Sequence, residues 1–363
     1  MRSKWLPQPV VASLIAGLLC CLLPSNQFAQ VKKGGGSTTT ATSAATSFRG
    51  GATGCSGLAL GNILSIVNSG TLSVSGGAQE AVSLAESVAG VFSTETLHAT
   101  AIGQGNVAAS EASAANITVA TGGILFAAGS ITADFAMSNS TATCSSNGPA
   151  ASGQVQVSGL VIEGQSIAVS GQANQTVVVN GNTVIINEQV VSQAATTADI
   201  TVNALHIITN TGLNLTFGSS SAGITCGSPP SQPPPCSDFV TGGGWITGTP
   251  SGAKANFGVA GGFKNGAFWG HLNYIDHGIG MHVKQTAVTG YAVDPNDADC
   301  RIVDYNVTID GQPGTARVRV CDKGEPGSND IFQIQLSNGY FAGGNLGGGQ
   351  PGGGNIQLHN KCQ

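Results

Sequence analysis

Three histidines and an aspartate stand close together in GHLNYIDHGIGMH: His271, Asp276, His277 and His282. Three imidazoles and a carboxylate form a donor set for zinc or another transition metal. The competing reading is a set of half-exposed strand and turn residues, because Gly278 and Gly280 break the strand that would align His271 with His277. A second group, Asp322, Glu325, Asn329 and Asp330, lies in VCDKGEPGSNDIF. Oxygen side chains gathered on a Gly-Pro turn suit calcium, which takes about six to eight oxygens. The spacing is not that of an EF-hand, and the same side chains also cap turn N–H groups. Asp294, Asp297 and Asp299 join this group only if the fold brings them in. The metal candidates are therefore Asp322, Glu325 and Asp330, with calcium as the ion and no other cofactor implied.

Nucleophilic chemistry has less to stand on. The chain contains no GxSxG elbow, no HExxH and no P-loop pattern. Gly242 to Gly244 in TGGGWI are followed by no helical pattern, so they permit tight strand entry beside Trp245 rather than phosphate binding. No catalytic residue is assigned, and the chain reads as a non-enzyme.

Cysteines carry the remaining chemistry, and the compartment decides what they do. Met1 to Gln30 reads as a secretory signal, with Arg2 and Lys4 ahead of the apolar run Val10 to Leu23. That run is too short for a spanning helix, and no later segment is long enough. Export leaves Cys55, Cys144, Cys226, Cys236, Cys300, Cys321 and Cys362, free to form disulfides in an oxidising compartment. Their odd number leaves at least one thiol unpaired within the chain. The localisation expected is secreted or cell-surface.

Composition narrows the class. Charged residues are 9% of the chain, hydrophobic residues 41%, and the formal net charge is −5. That hydrophobic share argues against wholesale disorder, and the absence of a basic footprint against nucleic-acid binding. Between Arg49 and Lys254 there is no Lys or Arg, while nine acids fall in the interval.

Low-complexity stretches divide the chain into a signal (1–30), a Gly/Ser/Thr-rich linker (31–54), a first β-domain (55–226), a Pro-rich linker (227–237) and an aromatic-rich β-module (238–363). The fold class expected is all-β, with two antiparallel, sandwich-like domains and a β-solenoid as the alternative for the first. Runs such as QVQVSGLVIEG and ADITVNALHIITN alternate apolar and polar residues, and their Ser, Thr and Ala positions suit a solvated sheet face. Asn180-Gly181 marks a hairpin. Ala78 to Phe92 is the one helical candidate. In the second module, a two-residue loop at Asp310-Gly311 makes paired residues sum to 621. Cys300 then faces Cys321, Tyr305 faces Ala316, and Asp304 faces Arg317. The register predicts a Cys300–Cys321 disulfide; Pro313 leaves a longer, bulged loop as the alternative. Cys236 and Cys362 bracket the module and could close it.

The strings GLVIEGQSIAV, ANQTVVVNG, VIINEQ and ITVNALHI resemble the choice-of-anchor P family of bacterial exported proteins. FVTGGGWI, ANFG, GHLNYIDHGIGMHV, VCDKGEPGSNDIFQIQLSNGY and GGNIQLHN resemble the module that often follows choice-of-anchor domains. The resemblance implies a surface or secreted β-protein whose activity is undetermined. The chain ends in NKCQ, without the LPxTG-like motif or hydrophobic tail that such families carry. The functional expectation is a structural or adhesive cell-surface role, with a surface polymer or glycan as partner and exposed Trp or Tyr as anchors. The alternatives are a carbohydrate-binding accessory protein and an unrecognised secreted hydrolase.

Overall fold

The computed structural model describes residues 46–122, 129–227, 237–264 and 266–359. The signal, residues 31–45 of the first linker, most of the Pro-rich linker, and Cys236 and Cys362 lie outside the described residues. In chain order the strands are β1 (Ser47–Ala59), β2 (Asn62–Asn68), β3 (Gly77–Val88), β4 (Phe92–Gln104), β5 (Val107–Ala120), β6 (Ser130–Ser145), β7 (Gly148–Ser158), β8 (Val161–Ile162), β9 (Gln165–Ser166), β10 (Gln175–Val179), β11 (Asn182–Gln193), β12 (Thr197–Ile208) and β13 (Asn214–Thr225). They continue with β14 (Phe239–Ile246), β15 (Ala255–Lys264), β16 (Ala267–Asp276), β17 (Met281–Asp294), β18 (Asp297–Ile309), β19 (Gln312–Cys321), β20 (Ile331–Leu336), β21 (Phe341–Asn345) and β22 (Gly354–His359). The protein is all-β, and no helix among the described residues is long and apolar enough to cross a membrane.

Three antiparallel sheets result. Sheet A runs β10-β11-β12-β13-β1-β2, sheet B runs β3-β4-β5-β6-β8-β9 with β7 also on β6, and sheet C runs β21-β20-β19-β18-β17-β16-β15-β14-β22. Sheets A and B form a sandwich. Leu97, Ala114 and Ala136 of sheet B meet Val184, Leu205, Leu215 and Phe217 of sheet A in one apolar cluster. Small alanines on one side and branched or aromatic residues on the other let the layers close with few large rings. The solenoid alternative is thereby excluded for this segment. Cys55, buried in this cluster, is the free cysteine among the described residues, and burial pushes its thiol up to about 12.

Two sequence expectations fail here. Ala78 to Val88 is strand, paired with β4 from Gly77↔Gly103 to Val88↔Phe92. Its Ala, Glu and Leu are good helix formers, but the long partner strand offers a full hydrogen-bond ladder, and tertiary pairing overrides the weak local preference. Residues 47–54, expected in the linker, are the first half of β1, a strand inside sheet A. Arg49 fixes that end by pairing with Asp199 at 2.9 Å.

Sheet C coils around its own core. Phe257 on β15 and Phe332 on β20 stack across it, and one buried cluster joins Val240, Leu272, Tyr305, Val318 and Ile356. The β18–β19 register is the one the 621 sum predicts, from Cys300↔Cys321 to Ile309↔Gln312, and the two cysteines are bonded. Asp310 and Gly311 have φ of 49° and 79°, as a two-residue type I′ turn requires. Pro313 fits because it pairs with Thr308 one step beyond the turn-flanking pair. That position of an antiparallel ladder exchanges no N–H bond, so the missing donor is not needed and no bulge forms.

Coiling leaves a seam between β22 and the β19–β20 loop, and side chains close it. The Ile356 N–H donates to Asp330 Oδ2 at 2.8 Å, and the Leu358 N–H to Asp322 Oδ2 at 2.9 Å. Two carboxylates thus stand where a neighbouring strand's carbonyls would be.

The Pro-rich boundary falls within one compact unit that begins at Ser43. The other face of sheet B packs on β14–β16. Lys254 pairs with Asp134, Gln154 donates to Glu325, and Gln156 donates to the Pro326 carbonyl. The Ser, Thr and Ala of β4–β6 are therefore mostly buried on both faces, whereas Thr197, Asp199, Thr201 and Asn203 of β12 alternate half-exposed with buried apolar residues.

Candidate functional site

The layer between sheets B and C is polar. Strand pairing puts His98 beside Ser113, Thr100 beside Glu111 and Glu111 beside Asn139 on one face of sheet B. Opposite them, β15 and β16 present Asn256, Gly258, His271 and Asn273. All of these side chains are buried, apart from Gly258, which has none. The two backbones approach closely because glycines face them: a Cβ on Gly258 would lie 3.1 Å from His98 Cβ, and one on Gly243 would lie 2.7 Å from Ser113 Oγ.

Within this layer four side chains from four strands form an unbroken chain. His98 Nε2 is 2.8 Å from Glu111 Oε1, His98 Nδ1 is 2.6 Å from His271 Nε2, and His271 Nδ1 is 2.8 Å from Glu80 Oε2. Only Glu80 reaches solvent, its side chain 30% exposed against 0% to 3% for the other three. Burial holds His98 well below the ordinary imidazole range, with His271 adding to the shift. Burial also holds Glu111 well above the ordinary carboxylate range, and the carboxylates of Glu325 and Asp330 push it further.

Three hydrogen bonds in series need one proton each, and with both imidazoles neutral, as burial favours for His98, two arrangements supply them. Either Glu111 is the neutral acid and each group donates outward to Glu80, or Glu80 carries the proton and the charge sits on Glu111. Burial selects the first, because an ion in the sealed layer costs far more than one at the rim. The two arrangements interconvert by shifting three protons, so the chain has the geometry of a relay between the surface and Glu111.

Of the sequence candidates, His271 belongs to this chain and the others do not. His277 opens the turn just after β16, where its Nε2–H donates to Asn256 Oδ1 at 2.7 Å and its Nδ1 is 3.8 Å from Glu95. Glu95, Glu86 and Asn116 line a surface cleft of about 410 Å³ beside it. Asp276 points to the other side, accepting from the Tyr340 hydroxyl at 2.7 Å. His282 is exposed on β17. Alternation along β16 and the turn after it separate the residues that sequence places together, so the structure does not assemble the His271, Asp276, His277 and His282 donor set.

The calcium candidates are engaged in holding the seam. Asp322 accepts from the N–H groups of Gly324 and Leu358, and Asp330 from those of Lys323 and Ile356. Glu325 accepts from Asn355, Gln357 and Gln154. The Asn329 carbonyl accepts from Asn345. The acidic loop does come near, and Lys323 bridges to it: its ammonium lies 2.8 Å from Asp297 and 3.2 Å from Asp299. Asp294 pairs with Arg319. Among the described residues, the one trio of ligand atoms within 4.8 Å of one another is Asp297, Cys300 and Cys321, and those two sulfurs are already bonded together. The tyrosine and tryptophan anchors are also placed differently from expectation. Trp245, Trp269, Tyr291 and Tyr340 are half-buried and Tyr274 and Tyr305 buried, so among the described residues the exposed aromatics are Phe263, Phe268 and Phe341.

Burial raises the Asp330 carboxyl to about 7, against two backbone N–H bonds that favour the carboxylate. Between the unfolded value of 3.8 and about 7, the folded protein keeps a proton that the unfolded chain has lost. The stabilisation tied to that proton is complete below the unfolded value and is lost as pH rises through about 7. Urea unfolding across that window is expected to show stability falling with pH, and a flatter profile for Asp330→Asn. Equal slopes in the two proteins remove Asp330 as the source.

Sequence reasoning missed Glu80, His98 and Glu111. They sit on three strands joined by hairpins, so no spacing marks them, and the helical reading of Ala78 to Phe92 hid Glu80. One signal was available. In an interval with no Lys or Arg, His98 and His206 are the only imidazoles available to its acids, and His206 does lie 3.0 Å from Glu188.

Comparison with known protein families finds no match, and none is found among curated proteins. Among solved structures the chain is similar to kievitone hydratase from Nectria haematococca at a TM-score of 0.17 and 9% identity, over 74% of this chain and 87% of that one. A likeness that low carries no argument about fold or chemistry.

Proposed function

We propose that the protein is an exported, non-catalytic β-protein of the cell surface with a structural or adhesive role, in keeping with its resemblance to the choice-of-anchor P family. The observation that carries this reading is the tip of the β15–β16 hairpin. There Phe263 and Phe268 are 48% and 41% exposed, and their rings meet edge to face at 5.2 Å. Two paired aromatic rings half in water near the end of a hairpin serve contact with a partner better than they serve the fold. The Cys144–Cys226 and Cys300–Cys321 disulfides are compatible with an oxidising compartment. The Glu111–His98–His271–Glu80 chain supports a structural role, since it joins the sandwich to the coiled sheet and three of its four members are sealed from substrate.

The full chain carrying its own leader, expressed in a bacterial host, is expected in the medium or in a protease-accessible fraction of whole cells. The purified protein is expected to adhere to whole cells, and the double variant Phe263→Ser/Phe268→Ser to lose adhesion by roughly tenfold or more. A reduced cytoplasmic product, or adhesion indifferent to the tip, overturns the reading.

A further inference from the structure

We propose that a divalent transition metal binds at the rim between sheets B and C, held by His277 Nδ1 and the Glu95 carboxylate, with Glu86 as the third donor. The proposal goes beyond the surface reading above and does not rest on it.

The fold brings the two donors together from opposite layers. In the turn after β16, the His277 backbone N–H donates to the Lys254 carbonyl at 3.1 Å. Its Nε2–H goes to Asn256 Oδ1, on a fully buried side chain, which leaves the ring's lone pair on Nδ1, 3.8 Å from Glu95 Oε2. Glu95 comes from β4, where the register against β5 slips on both sides of its pairing with Ala115. Bulges of this kind re-aim side chains. Asn116, at a left-handed φ of 46°, donates from Nδ2 to Glu95 Oε2 at 2.8 Å. Each donor thus has its own positioning partner, Asn256 for the imidazole and Asn116 for the carboxylate, as metal ligands in proteins do.

Distance decides what joins the pair. At 3.8 Å the two atoms are too far apart for a direct hydrogen bond, which closes at about 2.7–3.2 Å. They are too close for a bridging water, whose two bonds of about 2.8 Å hold their ends roughly 4.5 Å apart. Two ligands about 2.1 Å from a tetrahedral zinc stand about 3.4 Å apart, so a shift of a few tenths of an ångström admits the ion. An imidazole nitrogen beside a carboxylate favours zinc and its first-row neighbours over calcium, which takes oxygen ligands.

Ions can reach the pair. The His277 and Glu95 side chains are 28% and 37% exposed, and Glu95 and Glu86 line the cleft of about 410 Å³. The three donors do not all lie within 4.8 Å of one another, so Glu86 swings inward to complete the set and water takes the fourth place. Lys254 turns its ammonium to Asp134 at 2.8 Å, so that cation is committed elsewhere.

The test titrates the intact, untagged, metal-free protein with zinc, following heat of binding, thermal unfolding and the histidine ring resonances by NMR. Zinc is expected to bind saturably, to raise the unfolding midpoint by about 2 °C or more, and to shift the His277 ring while leaving buried His98 in place. Glu95→Gln, which keeps the Asn116 hydrogen bond, and His277→Ala are each expected to weaken binding tenfold or more with the far-UV circular dichroism unchanged. Glu86→Gln is expected to weaken it by a smaller factor, and His282→Ala, at an exposed histidine of β17, to leave it as it was. No zinc binding, a His277 ring that does not respond, or binding that ignores either Glu95→Gln or His277→Ala overturns the site. Binding indifferent to Glu86→Gln overturns the third donor.

Discussion

Replacing His98 with alanine is expected to lower the free energy of unfolding by about 3–5 kcal/mol. The imidazole is fully buried and holds two partners at once, Glu111 and His271. Without it, Glu111 and His271 keep their burial and each lose a hydrogen-bond partner, and a ring-sized gap opens against Gly258. Glu111→Leu should be milder, because it removes the buried acid along with its bond. Urea unfolding at neutral pH, followed by far-UV circular dichroism, measures both. A loss below about 1 kcal/mol for His98→Ala would mean that the chain is not what joins the two layers.

Removing the Cys144–Cys226 disulfide should cost nearly as much. The bond spans 82 residues and ties β6 of sheet B to the end of β13 in sheet A. On the chain-entropy account such a loop stabilises by between about 3 and 4.7 kcal/mol, more than the shorter loop closed by Cys300–Cys321, whose separation is 21. Paired serine variants, Cys144→Ser/Cys226→Ser and Cys300→Ser/Cys321→Ser, compared by urea unfolding, should rank in that order. The reverse ranking would place the main strength of the molecule in the β18–β19 hairpin.

What could be read from the sequence was local. The turns at Asn180-Gly181 and Asp310-Gly311 are two residues long, so register propagates from them by simple addition, and Cys300 opposite Cys321 follows. Cys144 and Cys226 have no such arithmetic, since five hairpins and a change of sheet lie between them. The candidate site was opaque for a related reason. A strand buried on both faces reads as Ser, Thr and Ala either way, so nothing near His98 or Glu111 announces a second covering layer. Glu80 was concealed by helix-forming neighbours whose preference amounts to a few tenths of a kcal/mol each, too little to resist a complete strand ladder.

The seam along β22 bears on how this protein behaves in company. An unpaired strand edge is a template on which another chain can add itself, and proteins at high local concentration risk growing into fibres through it. In β22 the outward N–H groups of Ile356 and Leu358 are already engaged by Asp330 and Asp322. The docking side is occupied by two carboxylates from the same molecule, and an incoming strand meets an acidic loop instead of free donors. The coiled sheet thus ends without offering that edge for polymerisation.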